Sequence, residues 1–357
     1  MPATHSEVQD PGITVREHLF GDDRPFAQCH ASTLVSQTSG RLLVAWFGGT
    51  RERNSDVGIW GAERLVDAST SKLTSSSSTP PNTKVTHWSP PRLIAKVSDE
   101  AHWNPVLFAL SPGGDELCLH FKVGARIRTW ETWSQRSHDA GRTWSPAERL
   151  VPGDRGGRGA VKNRPIQLSS GDWVAGASIE GWRRWDSFID RSPDGLTSWV
   201  AGNKIEIDRR NFSGKGLIQP TLWESSPGLV HALFRSTDGR THRSDSSDDG
   251  QTWSTAYPIE VPNNNSGLDL VRMSSGALAL ICNPVPGNRA ARTPLSLLLS
   301  GDNGRTWPER IDIETEPGEF SYPSITETET GLAISYTWNR RRIAVATIDS
   351  AALPNLR

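Results

Sequence analysis

Two features of this 357-residue chain most plainly suggest chemistry: tyrosine, which carries a phenol, is scarce, and arginine, which carries a guanidinium group, is abundant. Tyr322 is one of only three tyrosines, so few other residues could serve as a reactive phenol. The chain contains 32 arginines against seven lysines, which reflects either codon bias or a use for planar forks that bind carboxylates. His30 and His102 have mostly small or aromatic neighbours in the sequence, where a histidine is either structural or a base.

The sequence disfavours several other kinds of chemistry. Cys29, Cys118 and Cys282 form an odd, widely spaced set, which indicates neither a disulfide framework nor a zinc cluster. The sequence has no P-loop, no HExxH pattern and no dinucleotide-binding fingerprint. We therefore expect no metal and no cofactor, with a structural Ca²⁺ as an open alternative.

The charge balance and hydropathy exclude further classes of partner. The 39 basic and 40 acidic residues give a net charge of −1, whereas a general nucleic-acid or membrane-surface binder needs a basic excess. The sequence contains no run of about 18 apolar residues, the length that would predict a membrane-spanning helix. The first residues lack the basic and apolar regions of a secretory signal. We expect a cytoplasmic monomer, or a secreted one if a signal has been removed.

An eight-residue motif recurs along the chain and has the composition of a turn. Three copies fit Ser-x-Asp-x-Gly-x-Thr-Trp, a fourth is degenerate and a fifth is a remnant; they lie at 137–144, 246–253, 300–307, 192–199 and 86–90. Their tryptophans, at positions 88, 144, 199, 253 and 307, are 56, 55, 54 and 54 residues apart. Asp and Gly supply the side-chain hydrogen bonds and positive φ of a tight turn. We expect Thr-Trp to begin a strand, the Trp ring to pack on the next sheet, and the motif to have no catalytic role.

Apolar, strand-like segments alternate with these turns. They lie at 41–47, 116–123, 173–179, 229–234, 277–282 and 332–338. Their starts are 75, 57, 56, 48 and 55 residues apart, and a polar insertion at 69–83 accounts for most of the long first interval. Six units of roughly 50–55 residues predict an all-β, six-bladed propeller with four-stranded antiparallel blades, and seven blades are the alternative.

The end of the chain leaves the last unit one strand short. Strand-like segments lie near 321–327, 332–338 and 343–348, and no fourth follows. Residues 13–20 would supply it and close the ring, which removes the exposed edges of an open sheet. We expect one propeller domain over residues 13–349, with tails at 1–12 and 350–357.

The turn motifs at this spacing resemble the Asp-box repeats of the sialidase superfamily, and other stretches resemble the sialidase-like BNR-repeat family. Those stretches lie at 30–33, 46–52, 103–106, 162–166, 219–221, 265–269 and 321–323. The resemblance covers about residues 26–349. It implies a propeller fold and a pocket where the strand starts converge at one end of the channel.

The resemblance also implies roles for particular residues. A sialidase holds the substrate carboxylate with three arginines, uses an aspartate as acid/base and attacks with a tyrosine that a glutamate activates. Arg235 and Arg292 match the second and third arginines. Asp56 resembles the acid/base, and Tyr322 matches the tyrosine that opens the last blade.

Two positions depart from the pattern. His30 stands where the first arginine is expected, and Gln219 stands where the activating glutamate is expected. The first change removes a charge-assisted bond to a carboxylate, and the second removes the base of the tyrosine. The remaining candidates lie in or directly beside the matched stretches: His102 as a catalytic histidine, Gln219 as a substrate hydrogen-bonder, and Arg51, Arg164 and Asn265 as substrate-binding residues.

Three classes of function remain open, each with an acidic oligosaccharide or glycoconjugate as partner. In an exo-acting glycoside hydrolase, which we prefer, Arg235 and Arg292 hold the carboxylate, Asp56 transfers a proton and Tyr322 attacks or stabilises the oxocarbenium ion. In a polysaccharide lyase on a uronic-acid linkage such as rhamnose–glucuronate, Tyr322 or a histidine removes the proton next to a neutralised carboxylate. The third class is a carbohydrate-binding propeller without activity.

Overall fold

A computed structural model describes residues 13, 15–65, 87–154 and 157–354, and its regular elements there are β-strands and short 3₁₀ turns. The strands form six antiparallel sheets, so the prediction of an all-β, six-bladed propeller is confirmed. The predicted insertion at 69–83 and the tail at 1–12 lie outside the described residues. In the part of the chain described, no helix is long and apolar enough to span a bilayer.

The strands follow one another blade by blade. The strand before blade 1 is β1 (Val15–His18). Blade 1 contains β2 (Gln28–Ser36), β3 (Leu42–Gly49), β4 (Gly58–Leu65), β5 (His87–Trp88) and β6 (Arg92–Ala95). Blade 2 contains β7 (His102–Ala109), β8 (Leu117–Val123), β9 (Glu131–Ser137) and β10 (Glu148–Arg149). Blade 3 contains β11 (Ile166–Gln167), β12 (Trp173–Glu180), β13 (Trp185–Ser192) and β14 (Val200–Lys204). Blade 4 contains β15 (Leu217–Ser226), β16 (Leu229–Ser236), β17 (Arg240–Ser246) and β18 (Tyr257–Pro262). Blade 5 contains β19 (Asp269–Arg272), β20 (Leu278–Cys282), β21 (Leu295–Ser300) and β22 (Glu309–Glu314). Blade 6 contains β23 (Phe320–Thr328), β24 (Gly331–Trp338) and β25 (Arg342–Asp349).

The N-terminal strand closes the ring, as predicted. β1 pairs antiparallel with β25, with Val15 opposite Thr347 and His18 opposite Ala344. Blade 6 therefore has four strands in the order β1-β25-β24-β23. This pairing covers the edge that β25 would otherwise expose.

The predicted apolar segments are the second strands of the blades. They correspond to β3, β8, β12, β16, β20 and β24, within two residues at each end. The whole of β3 and β8 is buried, because both faces of a blade pack against neighbouring blades. One apolar cluster, for example, joins Leu43 and Phe47 of blade 1 to Trp103 and Phe121 of blade 2.

The repeated turn motif connects the third and fourth strands of blades 2 to 5. In the copy at 300–307, Asp302 accepts hydrogen bonds from the backbone and hydroxyl of Thr306, and Gly304 donates to Ser300. Trp307 packs in an apolar cluster with Leu233 of the preceding blade. The expectation that Thr-Trp begins the strand was wrong, because the side chain of Asp302 holds the chain in the turn and β22 begins only at Glu309.

Candidate active site

The first strands of the blades carry bulges that position the candidate residues. Register shifts interrupt the pairing of β2, β7, β15 and β23. A non-glycine residue with left-handed backbone occupies each bulge: Ala31 (φ 56°), Asn104 (38°), Gln219 (55°) and Tyr322 (51°). Asn265, just before β19, has φ 59°. Each such residue costs on the order of 1 kcal/mol, and such conformations gather at functional sites.

The hydroxyl of Tyr322 is held by two neighbouring side chains. Arg235 donates to it from Nη1 at 2.9 Å, and Gln219 donates from Nε2 at 3.2 Å. The same Nη1 of Arg235 donates to Gln219 Oε1 at 3.1 Å. The guanidinium carbons of Arg235 and Arg292 lie 5.7 and 5.8 Å from the centre of the Tyr322 ring. Two cations and one amide therefore surround this phenol.

The imidazole of His30 is buried beside the same phenol. The ring centroids of His30 and Tyr322 are 4.3 Å apart. His30 Nδ1 lies 3.0 Å from the hydroxyl of Thr337, which also accepts the backbone N–H of Ala31. Burial, reinforced by the guanidinium of Arg340, lowers the pKa of His30 well below 6.5. At neutral pH His30 is therefore a neutral base and does not replace the charge of an arginine.

Asn265 orients Arg235 within the site. Its Oδ1 accepts a hydrogen bond from Arg235 Nε at 2.7 Å, and its Nδ2 donates to Asn288 at 2.8 Å. Arg235 is 8% exposed, so its guanidinium has little freedom. Asn265 therefore fixes the direction in which Arg235 presents its remaining N–H groups.

Arg292 belongs to a chain of ion pairs at the edge of the site. Its Nη1 donates to Glu319 at 2.8 Å and to Ser321 at 3.3 Å. Arg340 donates to the same Glu319 oxygen at 2.7 Å and also to Glu52. Arg340 lies in the turn after β24, and its carbonyl accepts the N–H of the residue before His30. Arg340 thus brings a guanidinium close to the position where the first arginine was expected.

These side chains line one cavity of about 380 Å³ at the end of the channel. Blades 1 to 3 contribute mainly aromatic and apolar side chains: Phe47, Trp103, Ile127, Trp130 and Trp185. Blades 4 to 6 contribute mainly polar ones: Gln219, Arg235, Asn264, Asn265, Arg289, Arg292 and Tyr322. The cavity therefore has an aromatic wall opposite a cationic one, which suits a ring with one charged substituent.

Glu180, at the end of β12, adds a carboxyl group to the cavity wall. The carboxyl group of Glu180 has no hydrogen-bond or ion-pair partner among the residues that the structure describes. Burial raises its pKa, although the charges of Arg235 and Lys215 oppose the shift. A carboxyl group in such surroundings keeps its proton to a higher pH and can act as an acid.

Two predicted residues of the first blade lie outside this cavity. Asp56 is exposed in the loop between β3 and β4, where it accepts hydrogen bonds from the backbone and hydroxyl of Thr50 at 2.7 and 2.5 Å. These bonds lower the pKa of Asp56 and hold it in a shallow depression beside Arg24. Arg51, in the same loop, is exposed. The structure does not bring either residue to Tyr322.

His102 and Arg164 are also outside the cavity. His102 is buried between backbone groups, because its Nε2 accepts the N–H of Val97 and its Nδ1 donates to the carbonyl of Glu100, both at 2.9 Å. Burial lowers its pKa to about 4. Arg164 donates to the carbonyls of Ile325 and Leu270, so it joins blade 3 to blades 5 and 6.

Three charged residues at the site were not predicted from the sequence: Glu52, Glu180 and Arg340. Glu52 lies in a matched stretch, but it was not singled out there, and Glu180 and Arg340 lie in segments that no motif marks. Asn104 could have been identified from the sequence as a site residue, because it precedes a proline in the matched stretch 103–106, just as Gln219 and Tyr322 precede prolines in theirs.

A buried lysine lies directly beneath the cavity. Lys162 Nζ donates to Asn163 Oδ1 at 2.8 Å, to the carbonyl of Leu268 at 3.0 Å and to that of Pro323. Burial lowers the pKa of Lys162 to about 8. Its contacts join the inner parts of blades 3, 5 and 6. Lys162 therefore stabilises the base of the cavity, next to the backbone that positions Tyr322.

The described ranges contain no group of three or more His, Cys, Asp or Glu side chains that could hold a metal ion. The three cysteines are buried and unpaired.

Comparisons with known proteins agree with this architecture. A sequence profile for the family described as a BNR repeat-like domain matches residues 40–334. Among curated protein sequences, none matches the chain significantly. The Hadza microbial sialidase Hz136 has a TM-score of 0.72 and 16% identity, over 92% of this chain and 66% of that one.

Two further solved structures are similar over a comparable extent. The K499G mutant of the NanB sialidase from Streptococcus pneumoniae has a TM-score of 0.71 and 12% identity, over 97% of this chain and 71% of that one. A protein of unknown function from Dyadobacter fermentans has a TM-score of 0.72 and 13% identity, over 94% of this chain and 98% of that one. At such identities these likenesses establish a shared fold.

Proposed function

The chain belongs to the BNR repeat-like domain family, and from that premise we propose that it is a glycoside hydrolase acting on a terminal sugar that carries a carboxylate. The observation that carries the proposal is the grouping of the Tyr322 hydroxyl with the guanidinium groups of Arg235 and Arg292 in one cavity. A cavity of about 380 Å³ suits one sugar ring, so the enzyme acts at chain ends.

The carboxylate of the sugar binds at the cationic wall. Arg292 is only partly neutralised, because Glu319 is shared with Arg340. Arg235 is held by Asn265 with its Nη1 on Tyr322. Guanidinium groups bind carboxylates through paired, charge-assisted hydrogen bonds. The apolar face of the sugar then rests against the wall that contains Trp103 and Trp185.

In the proposed reaction Tyr322 attacks the anomeric carbon or stabilises its positive charge. Gln219 has no proton-accepting carboxylate, so we assign the proton of the phenol to the neutral imidazole of His30. Glu180 donates a proton to the departing oxygen and later accepts one from water. The glycosidic bond breaks as the bond to Tyr322 forms. Water then attacks the same carbon, the bond to Tyr322 breaks, and the phenol oxygen regains its proton from His30.

A lyase is the second candidate, and the Gln219–His30 pair favours it. A neutral amide at position 219 leaves the cationic wall free to neutralise a uronate, which acidifies the neighbouring C–H. His30 or Tyr322 would remove that proton, and the bond to the leaving oxygen would break with formation of a double bond.

The test is a panel of sialosides and uronate oligosaccharides incubated with the purified protein. New reducing ends without ultraviolet absorbance of an unsaturated uronate support the hydrolase. Such absorbance rising together with reducing ends supports the lyase. Binding of an acidic sugar without turnover would reject both and leave a carbohydrate-binding propeller.

The role of the cationic wall is tested separately. We expect Arg292→Met to weaken binding of an acidic sugar by about tenfold or more, because a charged hydrogen-bond pair is lost. The methyl ester of the same sugar should bind both proteins about equally. Equal weakening for acid and ester would argue against carboxylate recognition by Arg292.

A further inference from the structure

A second pocket, far from the channel mouth in the fold, lies between the outer part of blade 4 and the turn motif of blade 5. Its volume is about 530 Å³. Ser225, His231 and Asp245, from β15, β16 and β17, line it together with Tyr257 of β18 and Asn303 of the blade 5 turn. None of these residues takes part in the function proposed above.

The first three residues have the connectivity of a catalytic triad. Ser225 Oγ lies 2.8 Å from His231 Nε2, and His231 Nδ1 lies 2.5 Å from Asp245 Oδ1. His231 and Asp245 are directly opposite each other across the β16–β17 ladder. Ser225 lies where the β15–β16 register shifts, and such a bulge redirects a side chain.

Neighbouring hydrogen bonds fix the tautomer of His231 that a triad requires. The indole N–H of Trp223 can only donate, and it donates to Asn303 Oδ1 at 2.7 Å. The other end of that amide is therefore its NH₂ group, which lies 3.2 Å from His231 Nε2. His231 Nε2 is thus an acceptor, and the hydroxyl of Ser225 donates to it. Arg243 Nη2 also lies 3.1 Å from Nδ1, but the 2.5 Å contact between Nδ1 and the carboxylate of Asp245, which can only accept, requires the proton on Nδ1.

Asp245 is kept ionised and in place. Arg243 Nε donates to its Oδ1 at 2.8 Å, and the hydroxyl of Tyr257 donates to its Oδ2 at 2.7 Å. Burial opposes ionisation, but the hydrogen bonds from His231, Tyr257 and Arg243 lower the pKa of Asp245 well below its usual range. Trp223 stacks on the imidazole with centroids 4.9 Å apart, which limits its rotation.

We infer that Ser225, His231 and Asp245 form a second, nucleophilic site that hydrolyses short acyl esters. The oxygen of Ser225 bonds to the ester carbonyl carbon while its proton passes to His231 Nε2. The ester C–O bond breaks, and the alcohol leaves with that proton. Water follows the same route, releases the acid and restores Ser225.

The rest of the pocket suits this reaction. Asn303 and Arg305 line the wall formed by the blade 5 turn, and we assign their side-chain N–H groups as donors to the carbonyl oxygen as it gains negative charge. Leu229 and Ile259 line the pocket as well and provide an apolar surface for a short acyl chain.

The full chain can be tested with p-nitrophenyl acetate and with an alkyl fluorophosphonate, followed by mass spectrometry of the labelled peptide. We expect acetate release, and a label on Ser225. Ser225→Ala and His231→Gln should each lower acetate release by at least about a hundredfold, because the members of a triad act as a unit. Ser226→Ala, an exposed neighbour, is the matched control and should keep the activity.

Thermal unfolding and the sugar assays separate loss of activity from loss of fold. Variants that unfold at the same temperature as the original protein and act equally on sugars, but release no acetate, support the second site. A label on another serine, or full acetate release by Ser225→Ala, overturns it. Absence of any label on the folded protein also overturns it, and the three residues then serve only to dock the turn of blade 5.

Discussion

The imidazole of His30 and the phenol of Tyr322 pack against each other, with ring centroids 4.3 Å apart and planes inclined by 49°. The two residues come from the first strands of blades 1 and 6, which are neighbours because the ring is closed. A base with a pKa far below its usual value therefore lies beside a phenol whose oxygen is already held by Arg235. In the proposed mechanism His30 accepts the proton of the phenol, because the expected glutamate is absent.

Tyr322→Phe should abolish turnover while leaving binding almost unchanged. The ring that packs on His30 and beneath two guanidinium groups is kept, and only the reactive oxygen is lost. We expect kcat to fall by at least about a hundredfold with less than about a threefold change in substrate affinity. Single-turnover kinetics and calorimetric binding measure the two quantities. A weaker affinity with unchanged kcat would assign Tyr322 to binding alone.

Gln219→Glu should distinguish the two reactions proposed for the site. The new carboxylate would lie within hydrogen-bond distance of the Tyr322 hydroxyl and could accept its proton, so hydrolysis of a matching acidic glycoside should rise by about tenfold or more. Elimination should instead fall, because the new charge repels the uronate. Initial rates on both substrate types, with Gln219→Ala as the control, provide the measurement. No change in either rate would remove Gln219 from the mechanism.

The fold was predictable from sequence because its evidence is repeated. The tryptophans of the turn motif recur every 54 to 56 residues, and each apolar segment became the second strand of a blade. Closure by β1 followed from the missing fourth strand of the last unit. The start of the outer strands was not predictable, because side-chain bonds such as those of Asp302 prolong the turn beyond the tryptophan.

The positions of six cavity residues were predictable from sequence: Arg235, Arg292 and Asn265 from the family resemblance, and three others that lie at bulges. His30, Gln219 and Tyr322 lie at such bulges, and all three line the cavity. Asp56 was inferred from a loop, whose path depends on local hydrogen bonds such as those to Thr50. Glu180 reaches the cavity from the end of a second strand, and that position depends on how blade 3 packs beside its neighbours.

The pH profile of hydrolysis should decline on its alkaline side as Glu180 loses its proton. Because burial raises the pKa of Glu180, the acid form persists above the usual range of a carboxyl group and disappears as pH rises through the raised pKa. His30 should add no inflection near 6.5, because its pKa lies well below that value. Glu180→Gln should lower the rate and flatten the alkaline decline. A profile that keeps the same decline in this variant would assign the acid to another group.

Lys162→Met should destabilise the propeller and change how its stability depends on pH. The substitution leaves the buried carbonyls of Leu268 and Pro323 without their donor, at a cost of about 2–4 kcal/mol. In the original protein the pKa of Lys162 falls from 10.5 to about 8 on folding, so the unfolded state binds more protons between these values. Stability should therefore rise as pH increases from about 8 to about 10.5, and this rise should be absent from the variant.

Urea unfolding at several pH values provides the measurement, and Lys204→Met is its matched control. Lys204 is largely exposed and pairs with Asp186 at 2.8 Å, so its loss should change the free energy of unfolding by less than about 1 kcal/mol. If Lys162→Met were no more destabilising than Lys204→Met, the three hydrogen bonds of Lys162 would not stabilise the base of the cavity. Blades 3, 5 and 6 would then owe their contact at the channel to apolar packing alone.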